Sequence, residues 1–179
     1  RLGPWGFLAH PALAEESEQN STGNYGLMDK IAALKWVQKN IQGFGGNPDN
    51  VTIFGQSAGS SSVCALMASP LASGLFDKAI GQSAACLVKE KRDANGQQRG
   101  ARLAQLALGE SGAQSSEGQI TAKQLRGIDN QSLLSAMENS NWGEGSRIVV
   151  DGWVLPEAPV DVFNANQQAK VPLLVGSLA

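Results

Sequence analysis

The sequence has 179 residues, 42% hydrophobic and 17% charged, with a formal net charge of −2. That is enough apolar material for one globular core and too much for a disordered chain. No basic patch suits nucleic acid, and no apolar run approaches the roughly 20 residues that span a bilayer.

The first 26 residues, "RLGPWGFLAHPALAEESEQNSTGNYG", are strewn with Gly, Pro, Ser and Asn and read as loop, with a polar insertion at Glu15 to Thr22. No signal-peptide pattern follows Arg1. Asn20-Ser21-Thr22 and Asn50-Val51-Thr52 fit a glycosylation sequon and are read as chance matches, the second because it opens a strand. In "NYGLMDKIAALKWVQKNIQGFGG", Leu27, Ile31, Leu34, Val37 and Ile41 recur on one helical face, widened by Met28 and Trp36. Gly43, Gly45, Gly46 and Pro48 stop that helix.

"NVTIF" is β-branched and aromatic, as buried parallel strands are. "GSSSVCALMAS" suits a helix ending before Pro70, and "FDKAIGQS" a second strand. From Lys89 to about Ser146 strand signals vanish, and weak helices are expected at Gln97–Leu108, Thr121–Gly127 and Gln131–Asn139. "VPLLVGS" is a third buried strand. Strands alternating with helices predict an α/β fold with a parallel sheet. The core is assigned to 1–88 and 147–179, and an inserted helical region to about 89–146.

Cys64 and Cys86 are the only cysteines. Two thiols make no disulfide framework; two free thiols with Cys64 buried is the favoured reading, and the disulfide status of both is left open. His10 is the only histidine.

Gly-Gln-Ser-Ala occurs twice, ending in Ser57-Ala58 and Ser83-Ala84, and only the first copy is followed by glycine. Gly-x-Ser-x-Gly carries meaning only between a strand and a helix, where a sharp turn exposes the hydroxyl. Such a serine takes positive φ, which a Cβ disfavours, so its neighbours must be small. Gly55, Gln56 and Gly59 frame Ser57 in this way, and a helix follows. The first N–H groups of that helix, Ala58 foremost, would face negative charge developing on a substrate oxygen. Around Ser83 the second glycine is replaced by Ala85, and charged residues follow soon after. Ser57 is therefore the candidate nucleophile, and Ser83 a candidate polar neighbour at the end of the next strand. No Gly-Lys-Ser/Thr supports a phosphate-binding loop. No cofactor or metal is called for.

Five blocks, "RLGPWGFL", "GNYGLMDKIAALKWVQKNI", "FGGNPDNVTIFGQSAGSSSV", "SPLASGLFDKAIGQS" and "VVDGWVLPEAPVDVF…VPLLVGS", resemble in order the type-B carboxylesterase family of cholinesterases, para-nitrobenzyl esterases and fungal lipases. The match is thin between Lys89 and Asn141. The resemblance implies a partial α/β-hydrolase fold and a Ser-acid-His triad with Ser57 as nucleophile. It also implies hydrolysis of small-molecule carboxylic esters through an acyl-enzyme. The family's His-Gly-Gly oxyanion segment lies upstream of such text, and its triad acid and histidine lie downstream. The chain therefore reads as the middle of a longer enzyme, expected to be inactive and poorly soluble alone. The compartment is open, with a secreted or periplasmic location slightly favoured by the resemblance, and the oligomeric state is open.

The resemblance gives His10 an exposed loop position and not the role of base. Asp29 is read as a carboxylate near a helix N-terminus, and Asp151-Gly152 as a structural turn near the pocket. Trp5, Trp36, Trp142 and Trp153 are read as packing residues. Two other readings share the elbow. One is a non-catalytic cholinesterase-like interaction module, the other a thioesterase or acyltransferase.

Overall fold

A computed structural model of the chain describes residues 1–84, 94–112, 119–140, 142 and 148–177. In chain order its elements are α1 (Gly3–Phe7), α2 (Pro11–Glu15), α3 (Tyr25–Asn40), β1 (Thr52–Gln56), α4 (Ala58–Ala68), β2 (Lys78–Gln82), α5 (Ala94–Gly112), α6 (Ala122–Arg126), α7 (Asn130–Glu138), α8 (Pro159–Asn164) and β3 (Leu173–Gly176). They form two compact units, Arg1–Tyr25 with Arg92–Asp151 and Gly26–Lys91 with Gly152–Ala179.

The first unit is helical. Leu8, Leu103 of α5, Leu133 and Ala136 of α7, and Trp142 form its core. Trp142 is 1% exposed and lies beneath the Arg99 guanidinium at 5.6 Å, so it is a packing residue. At Gly100 of α5, a Cβ would stand 1.8 Å from the carbonyl oxygen of Ala9. Glycine at this position lets the helix lie directly on the chain entering α2. Asn24, buried, donates to Val149 O at 2.7 Å and accepts from Val149 N at 3.2 Å. It thereby satisfies both backbone groups of the buried Val149.

The first 26 residues are not wholly loop. Pro4 and Pro11 stand in the first turns of two five-residue helices, where a missing N–H costs nothing and the fixed φ suits the helix. The prolines that argued for loop are helix starters here.

The second unit holds a three-stranded, all-parallel sheet in the order β1-β2-β3. Asp77 ties the start of β1 to the start of β2. Its carboxylate accepts from Val51 N at 2.7 Å, and its own N–H donates to Val51 O at 2.8 Å. Gln38 of α3 donates to the carbonyls of Pro48 and Leu75 at 2.9 and 3.2 Å, pinning both connections. On α3, Leu27 and Ile31 are buried, whereas Leu34 and Val37 are only half-buried and Trp36 is exposed beside Phe44; Ile41, also half-buried, falls in the 3-10 turn that follows the helix.

Helix α4 packs on β1 and β2. Side chains alternate across a strand, so Gly55 and Gly81 face α4 while the register row Phe54, Ile80 and Leu174 faces away. Phe54 is 75% and Leu174 64% exposed. The strands were expected to be buried on both faces. Among the described residues α4 covers one face of β1 and β2, and β3 is exposed along its whole length, with Val175, on the α4 side, 69% exposed.

Candidate active site

Ser57 joins β1 to α4 with φ +52° and ψ −118°. Such a conformation costs a residue with a Cβ roughly 1–3 kcal/mol, so the surroundings must hold it. Two backbone bonds do so. Ser57 N–H donates to Gln82 O at 2.9 Å, and Ser57 O accepts from Ser61 N at 3.0 Å. The strand-to-helix step is thus fixed from the neighbouring strand on one side and from the first turn of α4 on the other.

The two glycines of the motif differ in what they do. A Cβ on Gly55 would lie 2.3 Å from the carbonyl carbon of Gly59 and 2.5 Å from its oxygen. The backbone of α4 occupies that space, so only glycine fits. A Cβ on Gly59 would meet nothing within 4 Å. From the pentapeptide alone both glycines have the same task, to be small beside the bend. The structure assigns the close approach to Gly55 alone, with Gly59 supplying backbone. Gly81, in register with Gly55, serves similarly, since its Cβ would stand 2.9 Å from Ser60 Oγ. A paired glycine floor lets α4 begin close against the sheet.

Ser57 is exposed, and its side chain does not cap α4. The hydroxyl is therefore not spent on structure. Ala58, Gly59 and Ser60 form the first turn, whose N–H groups have no intrahelical acceptors and carry the positive end of the helix dipole.

Ser83 shares two of these features. Its φ is +51°, and its N–H donates to Gly176 O at 2.8 Å, as Ser57 N–H donates to Gln82 O. Gly55 pairs with Gly81 and Gln56 with Gln82, so the repeated tetrapeptide places two strained serines at equivalent steps on adjacent strands. Positive φ does not separate the two. Ser83 is half-buried where Ser57 is exposed, and an eleven-residue helix opens directly after Ser57.

The family described as "Carboxylesterase family" matches residues 1–179. The chain belongs to the carboxylesterase family. It is 38% identical to the fumonisin B1 esterase of Sphingopyxis macrogoltabida, over 100% of this chain and 32% of that protein. It is 39% identical to the para-nitrobenzyl esterase of Bacillus subtilis, over 99% of this chain and 35% of that one. Among solved structures, a carboxylesterase of Geobacillus stearothermophilus superposes with a TM-score of 0.81 at 34% identity, covering 99% of this chain and 36% of its own. The chain spans about a third of the length of the curated relatives it matches, and its parallel sheet with connecting helices is part of an α/β-hydrolase fold.

Other residues singled out in this carboxylesterase sequence fall as follows. His10, expected in an exposed loop, is 6% exposed and caps α2, its Nδ1 accepting from Ala12 N at 3.2 Å. Burial pushes its pKa below the ordinary value, and the nearby Glu15 opposes this. Asp29 is the fifth residue of α3, past the first turn, so the helix N-terminus does not account for it. Asp151 accepts from Ser21 Oγ at 2.5 Å, and Gly152 turns with φ +84°, its N–H donating to Leu155 O at 3.1 Å, a turn as anticipated. Trp5 and Trp36 are 39% and 51% exposed, so packing is not their whole environment.

Cys64 is disulfide-bonded, which corrects the free-thiol expectation for it, and Cys86 lies outside the described residues. Cys64 lines a cavity of about 380 Å³ in the second unit together with Ser60, Met67, Gly81, Leu173 and Val175. Ser57 is not among its lining residues. Among the described residues no cluster of three potential metal ligands occurs, and no helix is long and apolar enough to cross a membrane.

Proposed function

We propose that the protein carrying this chain hydrolyses carboxylic esters through an acyl-enzyme formed on Ser57. Ser57 Oγ attacks the ester carbonyl, the alkoxide departs as the alcohol, and water then attacks the acyl-serine to release the acid. Ala58 N–H, at the start of α4, is an oxyanion donor, joined by glycine N–H groups upstream of Arg1. One such donor is worth about 2.7–4 kcal/mol in the transition state. Ser83, at the same step of the next strand, is a polar neighbour of the site.

The general base lies outside this chain. Its only histidine is committed to capping α2, so a histidine and its orienting carboxylate come from elsewhere in the polypeptide. It follows that the 179 residues alone turn over esters negligibly.

The observation that carries this reading is an exposed serine at φ +52° whose hydroxyl caps nothing, opening an eleven-residue helix in a carboxylesterase chain. The test is pre-steady-state kinetics of the intact protein with a p-nitrophenyl ester. With an ester whose deacylation is slower than its acylation, an acyl-enzyme gives a burst of nitrophenol approaching the enzyme concentration. The burst is absent from Ser57→Ala. Turnover that persists undiminished in Ser57→Ala would overturn the proposal.

A further inference from the structure

Loop-like sequence hides a compact polar cluster in the first unit. His10, Ser21, Thr22 and Asn24 are all buried. Thr22 Oγ1 accepts from His10 N at 3.4 Å, reaches Leu8 O at 3.4 Å and lies 3.1 Å from Tyr25 OH. His10 Nδ1 accepts from Ala12 N at 3.2 Å and so starts α2. The backbone of His10 continues the hold, its carbonyl accepting from Leu13 N and Ala14 N at 3.0 and 3.1 Å. One residue thus joins α2 to the segment that leads into α3.

That arrangement depends on the protonation state. A neutral imidazole offers one nitrogen as an acceptor, whereas an imidazolium has two donors and no acceptor. Protonated Nδ1 would face the Ala12 N–H donor to donor. We propose that His10 is an acid-released latch on α2 itself: neutral, its Nδ1 closes the first turn by accepting from Ala12 N; protonated, it lets that turn open, while the backbone bond from His10 N to Thr22 stays in place.

The charged groups on surrounding elements do not supply a counter-charge strong enough to reverse this. Glu15, on α2 itself, favours the proton but is outweighed by burial. Glu16 is paired with Arg126 of α6 at 2.6 Å. Arg99 of α5 lies over Trp142, and Arg1 lies over the Tyr25 ring. Asp151 accepts from Ser21. Tyr25 reaches His10 only through Thr22 Oγ1.

The sign follows from linkage. The folded-state pKa of His10 lies below its unfolded value of 6.5. The latch therefore contributes fully above pH 6.5, and its contribution declines as pH falls from there through the folded-state pKa.

Hydrogen exchange of the intact protein, read on peptides covering residues 8–22 and corrected for intrinsic rates, tests this between pH 7.5 and pH 5. In the wild type, protection of the α2 amides falls about fivefold more than that of the α4 amides, the loss of one cap. His10→Gln keeps an acceptor that does not titrate, and it is expected to remove the difference while retaining protection at pH 7.5. His10→Ala loses protection at both pH values. An equal pH response of wild type and His10→Gln, or unchanged α2 protection in the wild type at pH 5, would overturn the latch.

Discussion

Replacing Ser57 by alanine is expected to lower ester turnover by the intact protein about 10⁵- to 10⁶-fold in kcat, with little change in KM. Removing the nucleophile of a serine triad costs on this order, and what survives comes from the oxyanion donors and binding. The hydroxyl contributes to the bond that forms in the reaction and little to holding the ground state, so kcat carries the loss. Ser83→Ala is the comparison that gives the result meaning. Both serines stand at φ near +50° within the same tetrapeptide, so backbone strain alone would make them equivalent. The proposed mechanism needs only one to bond to the acyl group, and Ser83→Ala is expected to stay within about tenfold of the wild type, as a group supporting hydrogen bonds would. Steady-state kinetics of the two variants decide between them. Loss of activity in Ser83→Ala with survival in Ser57→Ala would invert the assignment.

Gly55→Ala is expected to destabilise the protein by roughly 3 kcal/mol, the upper range for overpacking, and to lower kcat at the same time. Its added methyl would stand 2.3 Å from the Gly59 carbonyl carbon. That atom is backbone at the start of a helix and has no rotamer to swing away. Relief requires α4 to lift, and lifting α4 carries Ser57 and the Ala58 N–H with it. An error of about 1 Å in such a site costs on the order of 10²-fold in rate. Gly59→Ala is the control. Its Cβ meets nothing within 4 Å, and in a helix alanine is favoured over glycine by about 1 kcal/mol. Denaturant unfolding and kinetics of both variants read the contrast. Equal effects at the two positions would mean that the glycine floor beneath α4 is not what shapes the bend.

Much of the fold was legible because its signals are local. "VTIF", "KAI" and "PLLV" are β-branched or aliphatic runs of strand length, and all three became parallel strands. The helical spacing of Leu27 and Ile31 marked α3, and the small residues after Ser57 allowed α4. Part of what failed was read from composition without position. Pro4 and Pro11 counted as loop residues, though a proline in the first turn equally starts a helix. His10 was placed in an exposed loop by the family resemblance of "LAHP", not by its neighbours, which are Leu8, Ala9, Pro11, Ala12 and Leu13. Its burial depends on Thr22, twelve residues on, which no local pattern announces.

The site was legible in part. Ser57 and its bend follow from the pentapeptide and its setting between a strand and a helix. The positive φ at Ser83 could have been anticipated from the repeated tetrapeptide, because identical residues at matched register steps meet the same steric demands. The unequal roles of Gly55 and Gly59 could not, since they depend on which atoms of α4 cross which strand. The disulfide at Cys64 was also out of reach, because two cysteines in a sequence carry no geometry.

The account turns on which hydroxyl becomes acylated. Treating the intact, active protein with a fluorophosphonate and mapping the modified residue by peptide mass spectrometry measures this directly. One adduct per chain is expected on Ser57, with Ser83 unmodified and turnover lost in proportion to labelling. An adduct on Ser83, or inactivation with no adduct on Ser57, would contradict it.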